Sequence, residues 1–141
     1  MRMTRNIVRL VTILAVLNPF WAGYASSSQI QWLSFESGMA LGRFEKKNVF
    51  VNFYADWCGF CKEMERTTFK DPSVIDYLNE NFIAVKVNTD REQQTAAMFR
   101  VQGLPDSWFF SKQGNVIGHR PGFIPAETLL TILKSIVNDS Q

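Results

Sequence analysis

Asn48-Val49-Phe50-Val51-Asn52-Phe53-Tyr54-Ala55-Asp56-Trp57-Cys58-Gly59-Phe60-Cys61-Lys62 changes from one kind of local structure to another within fifteen residues. Its first half, Asn48 to Tyr54, is rich in β-branched and aromatic residues and almost continuously apolar, the pattern of a strand buried on both faces. From the cysteines onward the period changes: Cys61, Met64 and Thr68 recur at helical spacing, while Lys62, Glu63 and Arg66 fall on the wetter side. The stretch therefore predicts a core strand, a short turn, and a helix from the cysteines to about Thr68 that starts at Cys58-Gly59-Phe60-Cys61.

Elements on either side follow the same rules. Ser26 to Gln29 reads as a short lead-in, Ile30 to Leu33 as a first strand, and Phe35 to Lys47 as a helix with Phe35, Met39 and Leu41 apolar. Asp71-Pro72 is a helix start signal for Ser73 to Asn79. Phe82 to Val87 reads as a second buried strand and Glu92 to Phe99 as a helix, after which Gly103-Leu104-Pro105 turns the chain. Ser107 to Ser111 and Val116 to His119 form a hairpin around Lys112-Gln113-Gly114-Asn115, and Pro125 to Val137 closes the chain as an amphipathic helix. The expected order is β-α-β-α-β-α-β-β-α. Helices between the early strands imply parallel pairing, and the hairpin adds antiparallel strands, so the fold class is α/β with a central mixed sheet and helices on both faces.

Cys58 and Cys61 are the only cysteines. At a helix N-terminus, free backbone N–H groups and the macrodipole favour a thiolate at the first of them. Cys58, at an exposed tip, is expected to attack a partner disulfide; Cys61, one turn on, is in reach to resolve the mixed disulfide and close a Cys58–Cys61 bond. A structural zinc site needs about four ligands, and two Cys with one His supply them only between subunits. A purely structural disulfide closing so small a loop stabilises little. Two inert buried thiols are a third reading, and Trp57 and Gly59 at a strand–helix junction speak against it.

Ala55-Asp56-Trp57-Cys58-Gly59-Phe60-Cys61-Lys62 resembles the active-site signature of the thioredoxin family, and Gly103-Leu104-Pro105 resembles that family's cis-proline loop. Lys86 and Gly122 also fall where thioredoxins carry a lysine and a late glycine. The resemblance spans Asn48 to Val137. Tyr54 to Cys58 and Thr68 to Val74 are further similar to the soluble C-terminal thioredoxin domain of the periplasmic disulfide-interchange reductants of the DsbD family. It implies a thioredoxin fold, a cis bond before Pro105 beside Cys58, and a Leu104 backbone that pairs with an incoming substrate strand. Two positions depart from the family: Asn52 stands for a buried Asp and Asp106 for a Thr. An amide is no general base, so the Cys61 proton must pass to water or to another acid, for which Asp56 and Glu63 are candidates by sequence proximity, each otherwise a solvated surface charge. A negative Asp106 would oppose the thiolate or select a basic partner. Trp57 and Phe60 form either an apolar collar for docking proteins or part of the core, and His119, the only histidine, is assigned to the surface.

Ahead of this domain, Arg2, Arg5 and Arg9 precede the apolar run Leu10 to Leu17, then Asn18-Pro19 and small residues from Ala22 to Ser28. That is the layout of an export signal, residues 1–25, cleaved after Ala25 or Ser27, with residues 26–141 as one mature domain. A membrane anchor is the alternative, against which stand Pro19 and a run short of the ~20 apolar residues a span needs. No Cys follows the run, which excludes a lipid-modified cysteine. Without the first 25 residues, 12 Lys and Arg face 13 Asp and Glu, so no basic patch suggests nucleic acid or an anionic membrane. The expected place of work is the periplasm, with a membrane-anchored form facing it as the alternative.

The expected activity is thiol–disulfide exchange with protein substrates. Gly59-Phe60 puts no cation between the cysteines, so the pair leans towards reduction or interchange, fed by a membrane electron donor. No cofactor or metal is expected, and a monomer is. An oxidase or isomerase, and a binding module or chaperone without turnover, are the competing readings.

Overall fold

The computed structural model describes residues 28–139; the export signal expected over residues 1–25 lies outside them. The elements run β1 (Trp32–Leu33), α1 (Phe35–Glu45), β2 (Asn48–Tyr54), α2 (Gly59–Arg66), a 3-10 turn (Thr68–Lys70), α3 (Pro72–Asn81), β3 (Phe82–Asn88), α4 (Gln93–Met98), β4 (Asp106–Phe110), β5 (Val116–Pro121) and α5 (Ala126–Asp139). The five strands form one sheet in the order β1-β3-β2-β4-β5. β3 lies parallel to β1 and β2, whereas β4 runs antiparallel to β2 and β5. This is the mixed α/β sheet that the strand and helix order implies.

Residue parity on β2 builds two cores. Phe50 points to one face, where Met64 of α2, Val74 and Leu78 of α3, and Leu129 and Leu133 of α5 enclose it. Val49, Val51 and Phe53 point to the other, under Met39 of α1 and with Phe110 of β4. Both faces of β2 are therefore dry, which is why its sequence shows no polar alternation.

Helix ends follow their caps. Ser34 accepts from the Ser37 N–H and opens α1, which Lys46 closes in the left-handed region at φ 53°. Asp71 accepts from the Ser73 and Val74 N–H groups, with Pro72 in the first turn, so α3 is a full ten-residue helix rather than the shorter Ser73–Asn79 expected. α2 is shorter than expected because Thr67 Oγ1 donates back to the Glu63 carbonyl at 2.7 Å and the chain tightens into the 3-10 turn. β1 keeps only two residues: Ile30 is buried in the core but outside the ladder.

Gly38 marks where α1 meets the sheet: a Cβ there would overlap Val85 Cγ2 of β3, itself fully buried. Gly→Ala inside a helix ordinarily stabilises by about 1 kcal/mol. Here Gly38→Ala is expected to destabilise by about 1–3 kcal/mol, read as a lower urea midpoint at unchanged slope; a raised midpoint would refute the close packing of α1 on β3.

Candidate functional site: a dithiol at the start of α2

β2 ends at Tyr54, and Ala55 to Trp57 turn the chain so that Cys58 becomes the N-cap of α2 with extended backbone, φ −78° and ψ 112°. Its Sγ accepts from the Cys61 N–H at 3.1 Å. The two residues are joined as a disulfide with Cα atoms 5.2 Å apart. Once the bond is reduced, the same N–H and the remaining free amides of the first turn stand ready for a thiolate on Cys58.

Cys58 is not at an exposed tip. It is only 5% exposed and shares a small apolar cluster with Ala55 and Cys61, against which Tyr54 and Leu104 pack. The exposed groups are its neighbours: Trp57 is 69% and Phe60 67% exposed, so neither serves as core packing. Trp57 is nevertheless fixed, because its Nε1–H donates to Asp90 Oδ2 at 3.0 Å, while Arg91 donates to Asp56 Oδ2 at 3.0 Å. The turn carrying the cysteine is thus strapped to the β3–α4 connection. Gly59 has open space around the position of a Cβ.

Across from the disulfide, the Leu104–Pro105 peptide bond is cis. The Pro105 carbonyl accepts from the Gly122 N–H at 2.7 Å, and Gly122 holds φ at +91°, a value that favours glycine. This pairing ties the loop to the end of β5 and brings Leu104 onto the cysteine cluster.

Behind Cys61 a cavity of about 310 Å³ is lined by Tyr54, Asp56, Cys61, Lys62, Glu65 and Lys86. Lys86 forms an ion pair with Glu65 and lies 4.8 Å from the Tyr54 ring centre and 5.3 Å from that of Trp32. Asn52 is the ladder partner of Lys86, and its Nδ2 donates to Ser107 Oγ at 3.4 Å. Sequence proximity suggested Asp56 and Glu63 as acceptors for the Cys61 proton. Glu63 is instead paired with Arg66 on the outer side of α2, and Asp56 with Arg91. Asp56 nevertheless lines the cavity, and Glu65 is the further carboxylate that the fold brings there; its position four residues after Cys61, hence on the same helix face, was the available signal.

Asp106 also differs from its sequence reading. It is 3% exposed, accepts from Trp108 Nε1–H at 2.9 Å, and meets His119 Nδ1 at 3.1 Å. Its carboxylate is therefore not displayed to a basic partner. His119 lies at the surface with its side chain 46% exposed, yet it is bonded to this carboxylate. Among the described residues no cluster of three or more His, Cys, Asp or Glu is placed to hold a metal, and no helix is long and apolar enough to cross a membrane.

On reduction, iodoacetamide at neutral pH is expected to label Cys58 at least ~10-fold faster than Cys61, because only Cys58 sits at the helix N-cap. Peptide mapping after a short pulse reads the ratio; equal labelling would show that the first turn does not favour one sulfur.

A family model described as a thioredoxin-like domain matches residues 37–136. A thiol:disulfide interchange protein DsbD of Vibrio vulnificus is 33% identical over 137 residues, covering 86% of this chain and 23% of that protein. The DsbD of Pectobacterium atrosepticum is 43% identical over 84 residues, covering 56% of this chain and 15% of its own. The chain thus spans about a quarter or less of these relatives. Among solved structures, a thioredoxin from Thermus thermophilus superposes with a TM-score of 0.72 at 24% identity, covering 79% of this chain and 90% of its own. A DsbH oxidoreductase gives 0.68 at 17% identity, over 86% and 93%. With the family matched over most of its length and its two sulfurs bonded at a helix N-terminus, the chain belongs to the thioredoxin-like family.

Proposed function

We propose that this protein is a protein-disulfide oxidoreductase that works in the periplasm and runs in the reducing direction. The observation that carries the reading is the Cys58 sulfur held at the α2 N-cap by the Cys61 N–H, with Leu104 and cis-Pro105 packed beside it. The relatives it is similar to are thiol:disulfide interchange proteins, which supports exchange as the activity; the reducing direction rests on the lack of a cation between the cysteines. Residues 1–25 serve as the export signal, or as an anchor that leaves the domain in the same compartment.

In the proposed cycle the Cys58 thiolate attacks a substrate disulfide, forming a mixed disulfide and releasing the first substrate sulfur as a thiolate. Cys61 then gives its proton to Glu65 across the cavity, and its sulfur attacks Cys58 Sγ. The second substrate sulfur leaves with the bonding electron pair, so the substrate gains two electrons and the Cys58–Cys61 pair loses them. Lys86 holds the Glu65 carboxylate in place from beneath. Trp57 and Phe60 give the substrate an apolar surface, and the Leu104 backbone lends it strand-like hydrogen bonds. A dithiol on a membrane protein returns the electrons, and the protein acts as a monomer without a cofactor.

Equilibration against glutathione buffers is expected to give a reduction potential near the thioredoxin end of the scale, about −270 mV, because no cation lies between the cysteines to stabilise the reduced form. A value near −120 mV would make the protein an oxidase, and the absence of a reversible couple would leave a binding module. Cys58→Ser is expected to abolish exchange, while Cys61→Ser traps a mixed disulfide with substrate. Glu65→Gln is expected to slow resolution of that intermediate by roughly 10²-fold, the lower end of a general base contribution, measured by quenched-flow alkylation; an unchanged resolution rate would remove Glu65 from the cycle.

A further inference from the structure

Asp106 is the only buried charged side chain among the described residues, and the exchange chemistry does not use it. A buried carboxylate is costly unless its oxygens are matched, and here both are. Oδ2 accepts from Trp108 Nε1–H at 2.9 Å, and Oδ1 and Oδ2 lie 3.1 and 3.3 Å from His119 Nδ1. The His119 ring stacks on the Trp108 indole, with centroids 4.4 Å apart and planes at 25°. Trp108 is in turn packed against Phe53, Phe99 and Phe110. The carboxylate is thereby bolted to the core on one side and to the edge strand β5 on the other.

Its place in the chain gives this fixation a consequence. Asp106 is the first residue of β4 and directly follows Pro105; Leu104, one residue further back, lies outside the ladders and packs on the cysteine cluster. Asp106 pairs with Phe53 and Ser107 with Asn52, so the Asp106 carboxylate is on the sheet face opposite Asn52 and Lys86. It is thus separated from the Glu65 cavity while remaining bound to the loop that flanks Cys58.

We propose that Asp106, Trp108 and His119 form a positioning unit for polypeptide substrates, holding the Leu104–Pro105 backbone at the height where an extended substrate strand adds beside Cys58. The inference rests on the exchange function proposed above and assigns that function a determinant of substrate class. Disulfides within a polypeptide depend on the unit because they bind through backbone pairing. Small disulfides, which reach the sulfur without that pairing, do not.

The test compares the reduced protein with its His119→Leu, His119→Asn and Asp106→Asn variants, using insulin as the polypeptide disulfide and 2,2′-dithiodipyridine as the small one. His119→Leu is expected to lower the second-order rate constant with insulin by about tenfold, the worth of one charge-assisted hydrogen bond, with the dithiodipyridine rate unchanged. His119→Asn, which restores an N–H donor near the Nδ1 position, is expected to recover most of the loss, and Asp106→Asn to reproduce it. His119 is at the surface, so its variants remain informative where Asp106→Asn weakens the fold. Equal insulin rates in all four proteins would overturn the inference, as would a parallel fall with both disulfides, which would place the effect on the dithiol itself. A wild-type protein that reacts with dithiodipyridine and ignores insulin would overturn the polypeptide-substrate reading and this inference with it.

Discussion

The hydrogen bond from the Cys61 N–H to the Cys58 sulfur exists because α2 begins at Gly59, and α2 begins there because β2 ends at Tyr54. β2 has no freedom to end elsewhere. It is hydrogen-bonded along both edges and covered on both faces, with Phe50, Val51 and Phe53 fully buried. Each such side chain contributes about 1.5–3 kcal/mol by leaving water, and a slip of one residue would exchange the contents of the two cores. The position of the sulfurs is therefore set by the packing of apolar residues that take no part in their chemistry.

The same strand separates two tasks. On the α2 face, Asn52 is a neutral amide beside Lys86, so the ammonium finds its counter-charge on the helix, in Glu65, and is flanked by the rings of Trp32 and Tyr54. That arrangement puts the carboxylate at a solvent-reachable cavity instead of inside the sheet. On the opposite face the carboxylate of Asp106 is enclosed by Trp108 and His119 and borders the cis-proline loop. The proposed proton handling and the proposed loop placement thus fall on different sides of one sheet, with Cys58 and Leu104 sharing one apolar cluster.

Local pattern carried a large part of this. The bounds of β2 read from the sequence coincide with those in the structure, and β3 is longer by one residue, because an uninterrupted apolar run is itself the signature of a strand with two dry faces. Capping chemistry placed the start of α3, and the change of period placed the start of α2. α2 ends before its apolar period does because Thr67 bonds to its own helix, a choice that periodicity does not register. The sheet order, with β3 inserted between β1 and β2, follows from crossover connections whose partners are far apart in the chain.

The sequence by itself determined the reactive pair, the strand and helix that carry it, and the α/β class, since spacing, period and caps are properties of neighbouring residues. Only the tertiary structure decided which charges meet. Glu65 and Lys86 come from a helix and a strand 21 positions apart, and Asp106 and His119 from two strands whose register is fixed by the hairpin. Burial likewise required the whole fold: Cys58 and Trp57 are adjacent in sequence, yet one is enclosed and the other faces water. The physical reason is that ion pairing and solvent exclusion depend on distances through space, which the chain order constrains only after the sheet has closed.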